Sequence, residues 1–520
     1  HKLMILKGYT MDLTLRGDYF NGTFTSPDGV TEADISKSDE NISKSCPGDT
    51  SHKLWDAHVN YNNIESVVES AVSGFESWRK LSFEDRINYL KKFQAEADKI
   101  KEQIGMAIAL ETGKPLWESM TEAGAVSAKV NVTINDSLKR IETKTIKDVL
   151  PKIDGHIVKK PLGPSLVIGP FNFPCHLANG QILSALLTGN SIIFKPSEKT
   201  MYSSQLLIEC FHKAGFPKGV INFINGTVKT TQDILKHSAI RGIFFTGSLN
   251  VGKKILESVD ADLTKLVALE LGGKNSTILH KDTNIDHALP ELLRACYLSS
   301  GQRCTSTSMV IVHKSIEQEF IDKFKKLTQR IIVDHPTEHT IDPFMGPLID
   351  QGAKDLYDRF CKLGTDNGAE DIIGRMEIET KYQGHYVNPT IHYLKEGSAI
   401  KSNPFTQEEI FGPNCTFTPY ENIEDAIEIA NISDYGLAAS VFTSDQDIYK
   451  LALRDIDAGI INLNRSTVGA SSRLPFGGVK NSGNHHPAAV SMVDHTVSTV
   501  ASLETLDNSS TLDSVKGLRD

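Results

Sequence analysis

The chain has 520 residues, 39% of them hydrophobic, and 55 Lys and Arg stand against 65 Asp and Glu for a net charge of −10. That length buries more than one core, and an acidic balance without basic runs excludes nucleic acid and anionic membrane as expected partners, leaving an ordinary soluble metabolic protein. Seven cysteines (46, 175, 210, 296, 304, 361, 415) with no C-x-x-C pair, and no H-E-x-x-H, predict neither a disulfide framework nor a metal site and point to a reducing compartment.

In chain order, HKLMILKGYTM carries no long apolar region and no small-residue cleavage site, so no secretory signal is expected. His1 is not a natural start, which marks the first few residues as added. Apolar side chains at Ile64, Val67, Val68, Ala71, Val72, Phe75 and Trp78 follow helical spacing and predict a helix over 64–78. A second helix is expected from Ser82, with Asp85 completing a capping box, to about Gly113 in TGKP. The stretch IETKTIKDVLPKIDGHIVKK alternates polar and apolar residues. It reads as an extended arm between domains, with Asp154-Gly155 as its hairpin turn. From 164 to 270, short apolar runs (SLVIG, SIIFK, VINFI, GIFFT, LVALE) alternate with helical segments such as SSQLLIECFHKAGF and VGKKILESV. The pattern returns over 276–465 with MVIVH, CTFTP, AASVFT and GIINLN. This rhythm predicts an α/β protein with two wound parallel-sheet domains. The most apolar twenty residues, CHLANGQILSALLTGNSIIF, hold His176, Asn179, Gln181 and Asn190 and read as a core helix running into a strand, not a membrane span. The last fifteen or so residues are polar and expected to be loosely held.

Chemistry is expected at the strand ends. TGSLNVGKK, 246–254, fits the start of a phosphate-binding loop, but Lys254 stands where Ser or Thr would hold magnesium, so nucleoside-triphosphate hydrolysis is rejected. It is not G-x-G-x-x-G either. What remains is a glycine turn opening a helix, an anion seat through free backbone N–H groups. ALELGGKN puts Glu270 at the end of an apolar strand, where α/β proteins place ligands. SSGQRCTST sets Cys304 between an arginine and a threonine, and by itself it reads more readily as a small apolar filler than as a reactive thiol.

The ordered set GPFNFP, KPSE, FTGSxxVG, ELGGKN, GQRC, EEIFGP and PFGGVKxSG resembles the aldehyde dehydrogenase superfamily, from about residue 15 to about 505. The resemblance implies a dinucleotide-binding Rossmann-like domain (11–136 and 158–270), a catalytic domain (271–465), a bridging β oligomerisation element (137–157 and 484–505) and a polar tail (506–520). It implies Cys304 as nucleophile, Asn172 with the Cys304 N–H as oxyanion donors, and Glu270 as the base that activates the hydrolytic water. It implies NAD as cofactor. Lys195 and Glu198 would hold the adenosine ribose, and the turn Gly247, Ser248, Leu249, Asn250, Val251 and Gly252 the pyrophosphate. Glu409 would hold the nicotinamide ribose, with Phe411 beside it and Phe171 as an aromatic wall where many relatives carry tryptophan. A cytoplasmic homodimer or homotetramer acting on a small aldehyde is implied as well.

Within the superfamily, GASSRLPFGGVKNSGNHHPAA and the later ASLE resemble the branch that oxidises N-succinylglutamate 5-semialdehyde in arginine catabolism. His486 departs from the arginine expected there. Carboxylates on such a substrate call for cationic and hydrogen-bonding groups. Those singled out are Arg303, Arg465, Gly469, Ala470, Ser471, Arg473 and His485. The alternatives are another anionic semialdehyde (glutamate or succinate semialdehyde), a CoA-acylating enzyme, which Glu270 disfavours, and a non-catalytic member.

Overall fold

The computed structural model describes residues 4–6, 9–11, 13–338, 340–395, 399–506 and 516–518. The expectations for the first few residues and for most of the polar tail lie outside the described residues.

Two seven-stranded sheets, both largely parallel, organise the chain. The first runs Leu266–Glu270, Gly242–Thr246, Ser165–Ile168, Ile192–Lys195, Ile221–Phe223, then an antiparallel edge of Tyr19–Phe20 and Thr23–Phe24. The second runs Glu370–Ile373, Thr390–Tyr393, Asn414–Tyr420, Thr307–His313, Asn275–Leu279, Ala438–Phe442 and Ile460–Leu463, with only the first pair antiparallel. The expected α/β architecture with two wound sheets is therefore found. The central strands are buried along their whole length because helices cover both faces; SLVI and IIFK are apolar runs, while Asn275–Leu279 is equally buried but opens with Asn, Ser and Thr. His176–Thr188 is the buried helix foreseen in the most apolar segment, and it runs into Ile192–Lys195. None of the described helices is long and apolar enough to cross a membrane.

The helix over Asn63–Trp78 buries Val67, Val68, Ala71, Phe75 and Trp78 as its spacing requires. The Ser82–Asp85 capping box forms. The single helix expected to Gly113 is instead two, Phe83–Lys99 and Lys101–Thr112, broken at Ile100. The first keeps an exposed face, whereas the second is buried continuously from Ile104 to Thr112, so the chain turns inward at the break. Gly113, at φ +82°, closes it in the left-handed region.

The arm is a hairpin, Lys144–Leu150 with Ile153–Pro161, extended by Val497–Thr505 into an antiparallel sheet of three. Its turn is not Asp154-Gly155 but Pro151-Lys152, where Lys152 takes φ +63° and Leu150 faces Ile153. Asp154 is used across the hairpin instead. Its carboxylate pairs with Lys147 at 2.5 Å and accepts the Asp148 N–H at 3.2 Å, over the register shift between Ile146 and Leu150.

Candidate active site

The parallel strands of the first sheet end on one edge. Gly169, Lys195, Gly247 and Glu270 follow or close their strands there. Four residues, Leu271–Lys274, then cross to the second sheet at Asn275. The crossing is held by the loop 482–484: Leu271 N donates to Ser482 O at 3.0 Å, Leu269 N to the Asn484 Oδ1 at 2.7 Å, Asn484 N to Leu269 O at 3.1 Å, and Asn484 Nδ2 to Val267 O at 3.1 Å. Leu266–Glu270 is an edge strand, and one asparagine satisfies three of its exposed backbone groups.

Cys304 lies in the loop before Thr307–His313. The Asn275 amide donates to Cys304 O and Ser306 O, both at 2.8 Å, and its Oδ1 accepts the Ala438 N–H at 2.9 Å. Upstream, Ser299, Ser300 and Gly301 all have positive φ (55°, 54° and 71°), a sharp turn that thrusts the following loop toward the first sheet. Arg303 clamps that turn. Its guanidinium pairs with buried Glu118, donates from Nε to Ser299 Oγ at 3.0 Å and lies 4.9 Å over the Phe173 ring.

Cys304 and Glu270 line one cavity, with Leu177, Gln181, Thr246 and Phe476 among its walls. Glu270 is 3% exposed and its Oε1 has no hydrogen-bond partner. Gly477 permits this placement, since a Cβ there would stand 2.9 Å from that oxygen. Burial alone holds the Glu270 carboxyl well above the usual carboxylate range. Burial, then the carboxylates of Glu270 and Glu409, push the half-buried Cys304 thiol up to about 12, against the lowering effect of Arg303. The buried Asn172 amide donates to Gln302 O at 3.0 Å, two residues from the thiol.

On the other side of the crossing, Glu409 accepts the Gly273 N–H at 3.0 Å, and a Cβ on Gly272 would collide with its carboxylate at 2.0 Å. Burial raises Glu409 to about 7. Phe411, at φ +50°, meets Phe171 edge-on at 5.8 Å between ring centres. Lys195, 5% exposed, has its amine 3.7 Å from the half-exposed Glu198 carboxylate. Ser248 caps the helix Leu249–Val259 without a side-chain bond, so the N–H groups of Leu249, Asn250 and Val251 keep their outward direction; Gly252 already bonds Ser248 O at 3.0 Å.

The residues singled out for substrate lie elsewhere, and none of the seven lines the Cys304–Glu270 cavity. Arg303 is committed to Glu118 and Ser299. Arg465, Gly469, Ala470, Ser471 and Arg473 form an exposed loop, with Arg465 Nη2 3.5 Å from Gly469 O and Arg473 paired to Asp136 at 2.9 Å. His485 packs its ring 5.4 Å from His495. Asn275 and Asn484 carry the geometry of the site, yet the sequence reading gave neither a role. Their signal was present: each is an asparagine directly after a glycine motif, in GGKN and SGN.

Residues 35–501 match the sequence model of the Aldehyde dehydrogenase family. The N-succinylglutamate 5-semialdehyde dehydrogenase of Novosphingobium aromaticivorans is 35% identical over 456 residues, 88% of this chain and 94% of that protein. Its counterpart in Legionella pneumophila (strain Corby) is 35% identical over 493 residues, covering 94% and 95%. Among solved structures, 1-pyrroline-5-carboxylate dehydrogenase from Thermus with bound NAD superposes with a TM-score of 0.85 at 26% identity, covering 94% of this chain and 93% of that one.

Proposed function

The chain belongs to the aldehyde dehydrogenase family, and from that premise we propose that it oxidises N-succinylglutamate 5-semialdehyde to N-succinylglutamate with NAD, through a thioester on Cys304. The observation that carries the chemistry is the shared cavity of Cys304 and an unpartnered, buried Glu270. The substrate choice rests on the similarity to enzymes of that name in two bacteria.

An aldehyde has no leaving group, so its oxidation needs an adduct. The Cys304 sulfur adds to the carbonyl carbon as the thiolate, its proton passing to water. The oxygen of the adduct takes the negative charge, and the Asn172 amide and the Cys304 N–H are the donors for it. A bound nicotinamide supplies a hydride acceptor. Loss of hydride leaves the thioester, and Glu270 takes a proton from the water that cleaves it, returning the thiol and releasing the acid. A carboxyl held above its ordinary range is a stronger base than a solvated carboxylate.

The residues present fit a dinucleotide. A buried amine at Lys195, its Glu198 partner at 3.7 Å, a helix start at Ser248 without a side-chain cap bond and a carboxylate at Glu409 lie in that order around the carboxyl edge of the first sheet. Lys195 and Glu198 would take the adenosine ribose, Gly247–Gly252 the pyrophosphate, Glu409 the second ribose, and Phe171 and Phe411 the ring's surroundings. The reading includes a homodimer or homotetramer, supported by outward apolar side chains on the three-stranded sheet (Ile146 49%, Leu150 49% and Leu503 63% exposed). It includes a cytoplasmic setting, which seven free thiols support.

The test is kcat/KM for N-succinylglutamate semialdehyde, glutamate semialdehyde, succinate semialdehyde and an uncharged aldehyde of similar length. The succinylated substrate is expected to lead by at least about tenfold. Equal use of the uncharged aldehyde overturns the substrate while leaving the oxidation.

A further inference from the structure

Resting on Cys304 as the nucleophile, we infer that Lys129, with His176, seats a carboxylate of the aldehyde substrate. Lys129 lies on the helix Leu116–Val132, on the buried face that carries Glu122, Val126 and Val130, and is only 5% exposed. The two cations over the Phe173 ring are neutralised: Lys114 by Glu122, and Arg303 by Glu118. The Lys129 amine has no hydrogen bond or ion pair among the described residues, although its carbonyl accepts the Thr133 hydroxyl at 2.9 Å. Neither acid is free to serve it. Glu122 Oε1 already accepts the Cys175 and His176 N–H groups at 3.0 and 3.1 Å while its Oε2 holds Lys114, and Glu118 accepts from Ser299 as well as Arg303. A buried amine without an anion is destabilising, and burial lowers its pKa to about 8, so at neutral pH it is still mostly charged. A ligand carboxylate would relieve that cost.

The surroundings connect this amine to the reaction. His176 opens the helix His176–Thr188, and its successors Leu177 and Gln181 line the cavity of Cys304 and Glu270. Its Nδ1 is buried without a partner. Burial, with the charges of Lys129 and Lys114, lowers its pKa to about 3, so the ring is neutral and offers one N–H to an anion. Gly180 follows one turn later on the same face, and the absent Cβ there would stand 3.1 Å from Lys129 Cε, so a side chain at 180 would displace the lysine. An aldehyde lying along this helix with its carbonyl at Cys304 would bring a remote carboxylate between Lys129 and His176. The chemical class is an ω-oxo acid, and a plain alkyl aldehyde would leave the amine bare.

The experiment compares N-succinylglutamate semialdehyde with its dimethyl ester in the wild type and in Lys129→Met, Lys129→Arg and His176→Gln. Lys129→Met is expected to lower the acid-to-ester ratio of kcat/KM by at least about tenfold, mainly through KM for the acid, and Lys129→Arg to retain most of the ratio. His176→Gln, which moves the N–H donor, should also lower the ratio, by less than Lys129→Met; this arm decides the matter if Lys129→Met does not fold, because a ratio unmoved by His176→Gln then overturns the seat. An unchanged ratio in folded Lys129→Met also overturns it. Those results leave the oxidation intact, whereas a wild type that oxidises neither compound overturns the proposed function itself.

Discussion

Glu270 and the thiol of Cys304 line one cavity, and among the described residues no side chain pairs with the Glu270 carboxyl. The Glu270 carboxylate raises the cost of ionising Cys304, since a thiolate and a carboxylate in one dry space repel. Cys304→Ala should therefore remove oxidation by more than about a thousandfold while leaving NAD binding and thermal unfolding nearly unchanged. Replacing Cys46, Cys175, Cys210, Cys296, Cys361 or Cys415, all buried, should cost stability rather than chemistry. Steady NADH formation by Cys304→Ala is the contrary result.

The carboxyl of Glu270 makes stability depend on pH. Its folded pKa lies above the unfolded value. The protonated form is accommodated at low pH, and stability is lost as pH rises through the folded pKa. The Glu270→Gln variant should match the wild type in Tm near pH 4 and exceed it progressively toward pH 9. Thermal melts across that range decide it. A difference that stays constant with pH would mean that Glu270 is solvated or paired.

Asn275–Leu279 and Thr390–Tyr393, which carry Asn, Ser, Thr and His, and the edge strands Glu370–Ile373, Tyr19–Phe20 and Thr23–Phe24 gave no strand signal in the sequence. The other strands of the two sheets were legible because buried parallel strands are mostly short apolar runs, a signal that needs no tertiary information. The turn at Pro151-Lys152 was not. Asp154-Gly155 carries the stronger local signal, but Lys147 and the Asp148 N–H claim the aspartate from across the hairpin. Ile100 likewise breaks a continuous helical pattern because the second half is buried on all sides. Cys304 and Glu270 were legible through ordered motifs. Arg303 was marked for substrate because it neighbours the thiol, yet adjacent residues in a loop point apart, and its partner Glu118 is remote in sequence. Lys129 went unnoticed because a lysine in a helix usually faces water. The signal was its place between Val126 and Val130 on the apolar stripe.

Asn484 satisfies three backbone groups of the strand that ends in Glu270. Asn484→Ala removes the two side-chain bonds, to Leu269 N and Val267 O, and should cost about 1–3 kcal/mol of stability by leaving those two groups unpaired. It should also lower kcat more than it changes the Kd for NAD, because the displaced element is the strand that aims the base. Urea unfolding and steady-state kinetics check it; a variant with wild-type kcat and stability would show that the clasp is dispensable.

In the proposed cofactor placement, Glu198, half exposed and 3.7 Å from Lys195, would meet the 2′-position of the adenosine ribose. A 2′-phosphate there would face a like charge. Glu198→Ala should narrow the preference for NAD over NADP by about tenfold in kcat/KM. A wild type that uses both cofactors equally, or a preference untouched by the substitution, goes against this placement.

The most direct measurement is a single turnover of Glu270→Gln with N-succinylglutamate semialdehyde and NAD, followed by intact-mass and peptide-mass analysis. If Cys304 carries the acyl group and Glu270 only releases it, NADH should form in a burst of about one equivalent per active site, then slow, and the protein should gain the mass of the N-succinylglutamyl group on the peptide bearing Cys304. A burst without that adduct, or with the adduct on another residue, would contradict catalysis through Cys304, and the absence of any burst would contradict the division of roles between the two residues.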